Sequence, residues 1–332
     1  MKVIVTGGMG FLGNSLVSKL LDCGYEVHAV GRTKEPKKEK LLLGIQYHAC
    51  DLANNFLDDK ILKNTDLVVH TAAKAGVSGS YHDYYSANFT ATKNLLDSCR
   101  SSGISRFIHT STPSVVFTKN PIQNGNEILP YLSHSLSPYA STKAMAEKLV
   151  LQANNPPHLQ TLALRPHLVW GKGDPHLLPR VIKRHKEGKL KIVGLGNNQV
   201  DLTHIVNVTH AHMLAIDAIM KNKELGGKPY FIGQEEPVVL WDWLNDLFSS
   251  LKLAPVTKKI SFRNAYHVGW VMEMLWKLLS IGGDPPMTRF VASQLAHDHW
   301  FSSKNAKEDF GYSPILSMQE AMKETLPWLK KI

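Results

Sequence analysis

The stretch KVIVTGGMGFLGNSLVSKLL (2–21) decides the fold. Val3, Ile4 and Val5 form a short apolar run of the kind that becomes a strand buried on both faces. TGGMGFLG (6–13) follows with Gly7, Gly10 and Gly13 in a GxxGxxG spacing, and an apolar helical segment comes next. Glycines at this spacing permit a tight turn and close backbone approach to a pyrophosphate, while the amide end of the next helix points at the phosphates. Three glycines mean little alone in a chain with 23. Set directly between a first strand and an apolar helix, they predict a dinucleotide-binding turn, to which Thr6, Phe11 and Leu12 also belong.

Further short apolar runs lie downstream: EVHAVG (26–31), IQYHAC (45–50), DLVVHTAA (66–73), RFIHTST (106–112) and TLALRP (161–166). They are rich in Val and Ile, bounded by Gly, Asp or Pro, and separated by helical stretches, which describes parallel strands. Right-handed crossovers between them give an α/β Rossmann fold, a doubly wound parallel sheet. The second half is less regular. PHLLPRVIKRHKEGKL (175–190) and NVTHAHMLAIDAIMKN (207–222) read as helices and KPYFIG (228–233) as a strand. The expected organisation is an NAD(P)-binding domain over 1–170, to which 205–233 returns, and a smaller, mainly helical substrate lobe within 171–332, helical from Pro237.

Composition narrows the function classes. Hydrophobic content is 43% over 332 residues, ordinary for a soluble globular protein. MKVIVTGG runs straight from strand to turn with no apolar leader, and Cys23, Cys50 and Cys99 form no CxxC pair, so a cytoplasmic setting is expected. The net charge of +10 reads as a solvated surface or as attraction for anionic ligands, because KEPKKEK (34–40) and KRHKEGKLK (183–191) mix Glu among their cations and no nucleic-acid motif accompanies them. No metal is expected. His204, His210 and His212, and likewise His297 and His299, are close in sequence but have no Cys or carboxylate at ligand spacing.

The second strand ends VHAVGR, where an NAD site usually carries an acidic residue for the ribose 2′-hydroxyl. Here Gly31 is followed by Arg32, whose guanidinium pairs well with a 2′-phosphate. Lys34, Lys37 and Lys38 add positive potential. NADP(H) is therefore preferred, with NAD(H) as the alternative. Asp51 and Leu52, past the third strand, are candidates to hold the adenine.

SPYASTKAMAEK (137–148) places Tyr139 and Lys143 four residues apart, on one helix face. With 10 tyrosines and 38 Lys and Arg in 332 residues, such a pair arises about once by chance. Its position carries the weight: the helix follows the strand ending HTST, at the sheet edge where ligands bind. A lysine ammonium near a phenol favours the phenolate and lowers its pKa from about 10. Tyr139 is thus a candidate acid/base for hydroxyl–carbonyl interconversion, with a hydroxyl from Ser111 or Thr112 on the reacting oxygen.

TGGMGFLG, HTAA (70–73), NFTATKNLL (88–96), HTST, the Tyr139/Lys143 pair and LRPHLVWG (164–171) stand in an order that resembles the extended short-chain dehydrogenases/reductases over nearly the full length. The resemblance implies that Tyr139 is the acid/base and that Lys143 binds the nicotinamide ribose. It puts Thr112 at the family's serine position, where Ser111 and Ser114 compete with it, and Asn88 at the proton-relay position. It places Ala72 and Ala73 beside the cofactor, and Pro166 with the backbone after it, at Leu168, beside the nicotinamide amide. A homodimer is expected from the resemblance alone. Within that family, IQNGNEILPY (122–131), GDPHLLPRVIKRHKEGKL (173–190) and GNNQVDLTHIVNVTHAHMLAIDAI (196–219) are similar to the 3β-hydroxysteroid dehydrogenase/isomerase-like group and its sterol-4-carboxylate 3-dehydrogenases. GGDPPMTRFVASQLAHDHWF (282–301) resembles bacterial 2-alkyl-3-ketoalkanoate reductases.

Nucleotide-sugar enzymes of the extended family usually carry Arg before the Asp of QVDLTHIVNV; Val200 stands there instead. A nucleotide diphosphate would lose a charge-assisted clamp of about 1.5–3 kcal/mol. An apolar substrate is expected: a 3-oxo acyl chain, sterol or steroid-like ketone or alcohol. The runner-up readings are a nucleotide-sugar epimerase or reductase and a non-catalytic NADPH sensor. In FRNAYHVGWVMEMLWKLLSIGG (262–283), Tyr266, Trp270, Met274, Leu275 and Leu278 recur near helical spacing. That stripe is open to three readings: core or lid over the substrate, peripheral membrane contact, or an oligomer contact.

Overall fold

The computed structural model describes residues 1–332 except 77–78, 118–119, 134, 136, 222, 280 and 282. Positions 222, 280 and 282 of the stretches read above therefore lie outside the described residues. Thirteen strands are present among the described residues: β1 (Lys2–Thr6), β2 (Glu26–Gly31), β3 (Gln46–Ala49), β4 (Leu67–His70), β5 (Arg106–Thr110), β6 (Ile122–Gly125), β7 (Gln160–Pro166), β8 (Ile192–Val193), β9 (Gln199–Val200), β10 (Lys228–Ile232), β11 (Val238–Val239), β12 (Lys259–Ile260) and β13 (His299–Phe301). The helices are α1 (Phe11–Asp22), α2 (Asp59–Leu62), α3 (Tyr81–Tyr84), α4 (Ala91–Ser101), α5 (Pro138–Gln152), α6 (Leu177–Lys186), α7 (Ile205–Lys221), α8 (Leu240–Ser250), α9 (Phe262–Leu278), α10 (Arg289–Ala296), α11 (Lys304–Phe310) and α12 (Met318–Leu329).

The main sheet runs in the order β10-β7-β5-β4-β1-β2-β3, with every pairing parallel. Apart from the edge strand β3, its strands are largely buried on both faces, as their apolar runs require. Along β1 the side chains alternate between two cores. Val3 and Val5 pack with Leu16, Val17 and Leu20 of α1 and Ala211, Ala215 and Ile219 of α7. Ile4 packs on the opposite face with Leu95, Leu96 and Cys99 of α4 and Val150 of α5. This is the doubly wound architecture expected of the sequence, and the C-terminal ends of β1, β4, β5 and β7 meet at one edge of it.

The lobe has its own core, built around Trp170, Trp241, Trp243, Leu247 and Phe248. Its helices dominate, yet the segment after Pro237 also holds β11, β12 and β13, which the helical expectation omitted. β13 joins β6 and β9, and β11 joins β9, in a four-stranded sheet. Strands of two or three residues are too short for their side-chain alternation to show in sequence.

Candidate active site

The glycine turn is built by contacts that only glycine allows. Gly7 has φ +69, and a Cβ there would lie 2.8 Å from the Cα of Ala72, just past β4. A Cβ on Gly13 would sit 2.2 Å from the Gly7 carbonyl oxygen. The turn thus fits tightly between α1 and the backbone of Thr71 and Ala72. Gly10 caps α1 with no side-chain hydrogen bond, and the first turn of the helix, with Phe11 and Leu12, carries no acidic residue. Its amide end is left for an anion. The segment after β2 folds across this turn. Lys40 Nζ donates to the Met9 carbonyl at 2.9 Å, Asn14 Nδ2 to the Lys40 carbonyl at 3.0 Å, and the Tyr47 hydroxyl to the Thr33 carbonyl at 2.5 Å. Arg32 is exposed at the end of β2. Open amides, a close-fitting glycine turn and nearby cations suit the pyrophosphate of a dinucleotide. Asp51 holds its own turn, accepting from the Ala53 amide and from Asn54 Nδ2, and Leu52 is buried. The Thr6 hydroxyl points into the sheet, at 2.6 Å from His70 Nδ1, so only its backbone borders the turn.

Pro138 starts α5, where its missing N–H costs nothing, and Tyr139 follows in the first turn. The side chain of Thr112, two residues past β5, lies close enough to the Tyr139 phenol to lower its pKa. Thr112 Oγ1 also lies 3.2 Å from Ser114 Oγ and accepts from the Ser114 amide. Ser111 Oγ is buried without a hydrogen-bond partner. Among the three candidate hydroxyls, Thr112 is the one that acts on Tyr139.

The electrostatics differ from the expectation that Lys143 lowers the Tyr139 pKa. Burial raises the phenol, and this outweighs the lowering effect of Thr112. The Lys143 ammonium is engaged elsewhere, donating to the Thr110 carbonyl at 2.7 Å and to His109 Nε2 at 3.0 Å. Lys143 is itself fully enclosed, and loss of water lowers its pKa to about 7 against the opposing pull of Glu147.

Beneath Lys143 lies a chain of buried polar groups that the motif reading missed. His70 on β4 and His109 on β5 are paired in register, with ring centroids 5.3 Å apart. Thr92 Oγ1 donates to the Asn88 carbonyl at 2.5 Å. It must then accept from His70 Nε2, at 2.8 Å, which leaves His70 Nδ1 to accept from Thr6. Burial and the nearby Lys143 charge hold His70 neutral, with its pKa lowered to about 3, and push His109 well below the usual histidine range. HTAA and HTST place a His at the end of β4 and one residue before the end of β5, but only the register of the two strands brings the rings together.

Asn88 sits in a π-helical turn (Tyr85–Thr90) and is buried. Its Oδ1 accepts from the Lys74 amide at 2.7 Å, and its Nδ2 donates to the Lys74 carbonyl at 3.2 Å and to Thr142 Oγ1 at 3.1 Å. It braces the segment after β4 against α5, between Tyr139 and Lys143. Pro166 ends β7, and two residues on Leu168 has φ +38, a strained value for a residue with a branched side chain. One turn past Lys143, Glu147 forms a fully buried pair with Arg165 of β7, at 2.5 Å, and accepts from the Tyr131 hydroxyl at 2.6 Å. The Tyr84 ring meets Tyr139 edge-on at 6.5 Å.

Two expectations change in the lobe. Val200 is fully buried in the lobe core, so its apolar character serves packing and is no direct measure of the substrate. The stripe on α9 is core only at its start: Tyr266 is half-buried against the lobe core, whereas Trp270, Met274, Leu275 and Leu278 are exposed, and only Ala265 and Gly269 of that helix are buried.

Comparison with known proteins agrees with this construction. The profile of the 3-beta hydroxysteroid dehydrogenase/isomerase family matches residues 4–262. The chain is 42% identical to a 2-alkyl-3-oxoalkanoate reductase of Stenotrophomonas maltophilia, covering 97% of this chain and 98% of that one. It is 34% identical to the mouse (Mus musculus) sterol-4-alpha-carboxylate 3-dehydrogenase, decarboxylating, covering 98% and 90%. The structure is similar to a UDP-glucuronic acid 4-epimerase from Bacillus cereus solved in complex with NAD, with a TM-score of 0.76, 25% identity and coverage of 100% and 99%. The chain belongs to the 3-beta hydroxysteroid dehydrogenase/isomerase family of NAD(P)-dependent oxidoreductases.

Proposed function

We propose that this protein interconverts a 3-oxo and a 3-hydroxy group on a hydrophobic carbon skeleton, a 3-oxo acyl chain or a sterol-like ring, using NADP(H). The observation that carries the reading is the Tyr139–Thr112 hydroxyl pair at the end of β5, on the sheet edge that also holds the glycine turn. Bound there, the nicotinamide supplies or accepts the hydride at the substrate's 3-carbon. Tyr139 gives its phenolic proton to the substrate oxygen as the carbonyl becomes a hydroxyl, and takes it back in the reverse direction. Thr112 holds that oxygen beside the phenol. Lys143, tethered to Thr110 and His109, is placed to hold the nicotinamide ribose, and Asn88 fixes the height of α5.

NADP(H) is favoured over NAD(H) by Arg32 and by the cationic segment that Lys40 straps over the glycine turn. The hydrophobic 3-oxo substrate is favoured by the relatives named as oxoalkanoate reductase and sterol dehydrogenase. We take residues 1–170 with 205–233 as the cofactor unit, the rest of 171–332 as the substrate lobe, and a homodimer as the working assembly. The test is NADPH oxidation, followed by absorbance, against 3-oxo acyl, steroid ketone and nucleotide-sugar substrates. Turnover of the first or second class supports the reading, whereas turnover of nucleotide sugars alone overturns it.

A further inference from the structure

His70 and His109 are buried at the sheet edge where the site forms, and the proposed chemistry gives neither a step. His109 touches Lys143. Its Nε2 lies 3.0 Å from Lys143 Nζ, and the Thr110 carbonyl lies 2.7 Å from the same nitrogen. A lysine ammonium has three N–H donors and no acceptor, so His109 Nε2 accepts and the ring proton sits on Nδ1. His109 Nδ1 is buried with no hydrogen-bond partner among the described residues. A buried orphan donor is costly. The other tautomer would remove it, but it would point a proton at the ammonium. The ring is thus set in a form that strains the interior, and what that form provides is an acceptor for Lys143.

The neighbouring polar groups are engaged elsewhere. Thr92 takes the Nε2–H of His70 and Thr6 fills its Nδ1, so His70 offers His109 only its ring, at 5.3 Å. The Asn88 carbonyl accepts from Thr92, and its Nδ2 donates to the Lys74 carbonyl and to Thr142. The titratable groups around Lys143 come from four elements. His109 on β5 and His70 on β4 are neutral. On α5 itself stand Tyr139, one turn before, and Glu147, one turn after and paired with Arg165 of β7. From α3, Tyr84 faces Tyr139 and carries Lys74 over its ring. Two acceptors on the ammonium leave the third N–H for a bound cofactor. Enclosure lowers the Lys143 pKa to about 7, so a hydrogen bond to the charged form governs how much ammonium exists at neutral pH.

We propose that His109 is a positioning residue whose Nε2 lone pair holds Lys143 as an ammonium, aimed at the nicotinamide ribose. This rests on the reading that Lys143 binds that ribose. It gives β5 the task of supporting the lysine, which the motif order had pointed to Asn88. His109 acts through Lys143 and takes no part in the transfer of hydride or proton.

The test reads cofactor binding and needs no turnover. NADPH and NADH are titrated by fluorescence from about pH 6 to 9 into the full chain. The variants are His109→Phe, which keeps a ring without an acceptor, and His109→Gln, whose amide oxygen reaches the Nε2 position. Adenosine 2′,5′-bisphosphate, which lacks the nicotinamide ribose, is the control ligand, and urea midpoints show which variants are folded. In His109→Phe the fall of affinity with pH is expected about one unit lower, giving about tenfold weaker binding at pH 8. His109→Gln restores the wild-type profile, and the control ligand is unaffected by either change. Superimposed profiles in wild type and folded His109→Phe overturn the inference. A loss that is uniform across pH, or equal for the control ligand, marks a merely structural role and also overturns it. Nitrogen NMR of the histidines in wild type gives a second reading that needs no folded His109→Phe. The His109 signal, identified by its absence in His109→Gln, is expected in the Nδ1–H form, and the Nε2–H form overturns the inference. A shifted binding profile without turnover of any 3-oxo substrate leaves the role of His109 standing and removes the proposed activity instead.

Discussion

At the scale of single residues, the proposed preference for NADP(H) over NAD(H), two cofactors that differ by one phosphate, rests on Arg32. It is exposed at the end of β2, free to meet a 2′-phosphate with two parallel N–H bonds. Arg32→Ala is expected to weaken NADPH binding about tenfold or more while leaving NADH nearly unaffected, because only the phosphate needs the guanidinium. Titration of both cofactors by fluorescence checks this, and a wild type that prefers NADH refutes it. Tyr139, Thr112 and Arg32 could all be named from motif positions. The roles of His70 and His109 could not, because pairing two strands in register is a tertiary fact. Nor was it foreseeable that Lys143 binds β5 and leaves the phenol to its burial, since spacing on a helix reports a shared face and is silent about competing acceptors.

At the scale of elements, α5, the helix that carries Tyr139, is anchored by Glu147 and Arg165, which are 0% and 1% exposed. Removing one partner of such a pair strands the other charge in the interior, at a cost of about 3–5 kcal/mol. Glu147→Gln is expected to lower stability by that order in urea unfolding. Glu147→Gln with Arg165→Met should recover part of the loss, because no charge then remains buried. If the single variant is as stable as wild type, α5 is held by its apolar contacts alone. The long buried strands and α1 were readable because their patterns repeat over many residues. The π-helical turn that carries Asn88 and the short strands β9, β11 and β13 were not, because elements this brief owe their form to neighbours. The stripe on α9 shows the same limit: helical periodicity marks an apolar face without saying whether protein covers it.

At the scale of the whole molecule, burial of neutral histidines sets the acid response. Burial lowers the pKa of His70 to about 3 and those of His212 and His299 to about 4, and it pushes His109 and His167 well below the usual value. Between these values and 6.5 the unfolded chain binds more protons than the folded one, so stability rises with pH over that window. For His70, His212 and His299 this amounts to about 3 kcal/mol each at pH 4. Asp201 acts in the opposite sense. Burial raises its pKa to about 7, so its contribution falls as pH rises from 4 to 7, and Glu127, also raised by burial, acts the same way, but they are two groups against five. Lys143, lowered to about 7, adds a further rise in stability from pH 7 toward 10. Urea midpoints measured from about pH 4.5 to 9 are expected to climb steeply below 6.5 and gently above 7. A flat profile would show that these groups titrate as they do in water.

The central claim is that Tyr139 is the proton donor in an NADPH-dependent reduction of a 3-oxo group. The most direct measurement is NADPH oxidation with a 2-alkyl-3-oxo acid by wild type and by Tyr139→Phe, with cofactor binding measured alongside. The account predicts turnover in wild type and a loss of about 10²–10⁴-fold in the variant at nearly unchanged NADPH affinity. Undiminished turnover by Tyr139→Phe would contradict it.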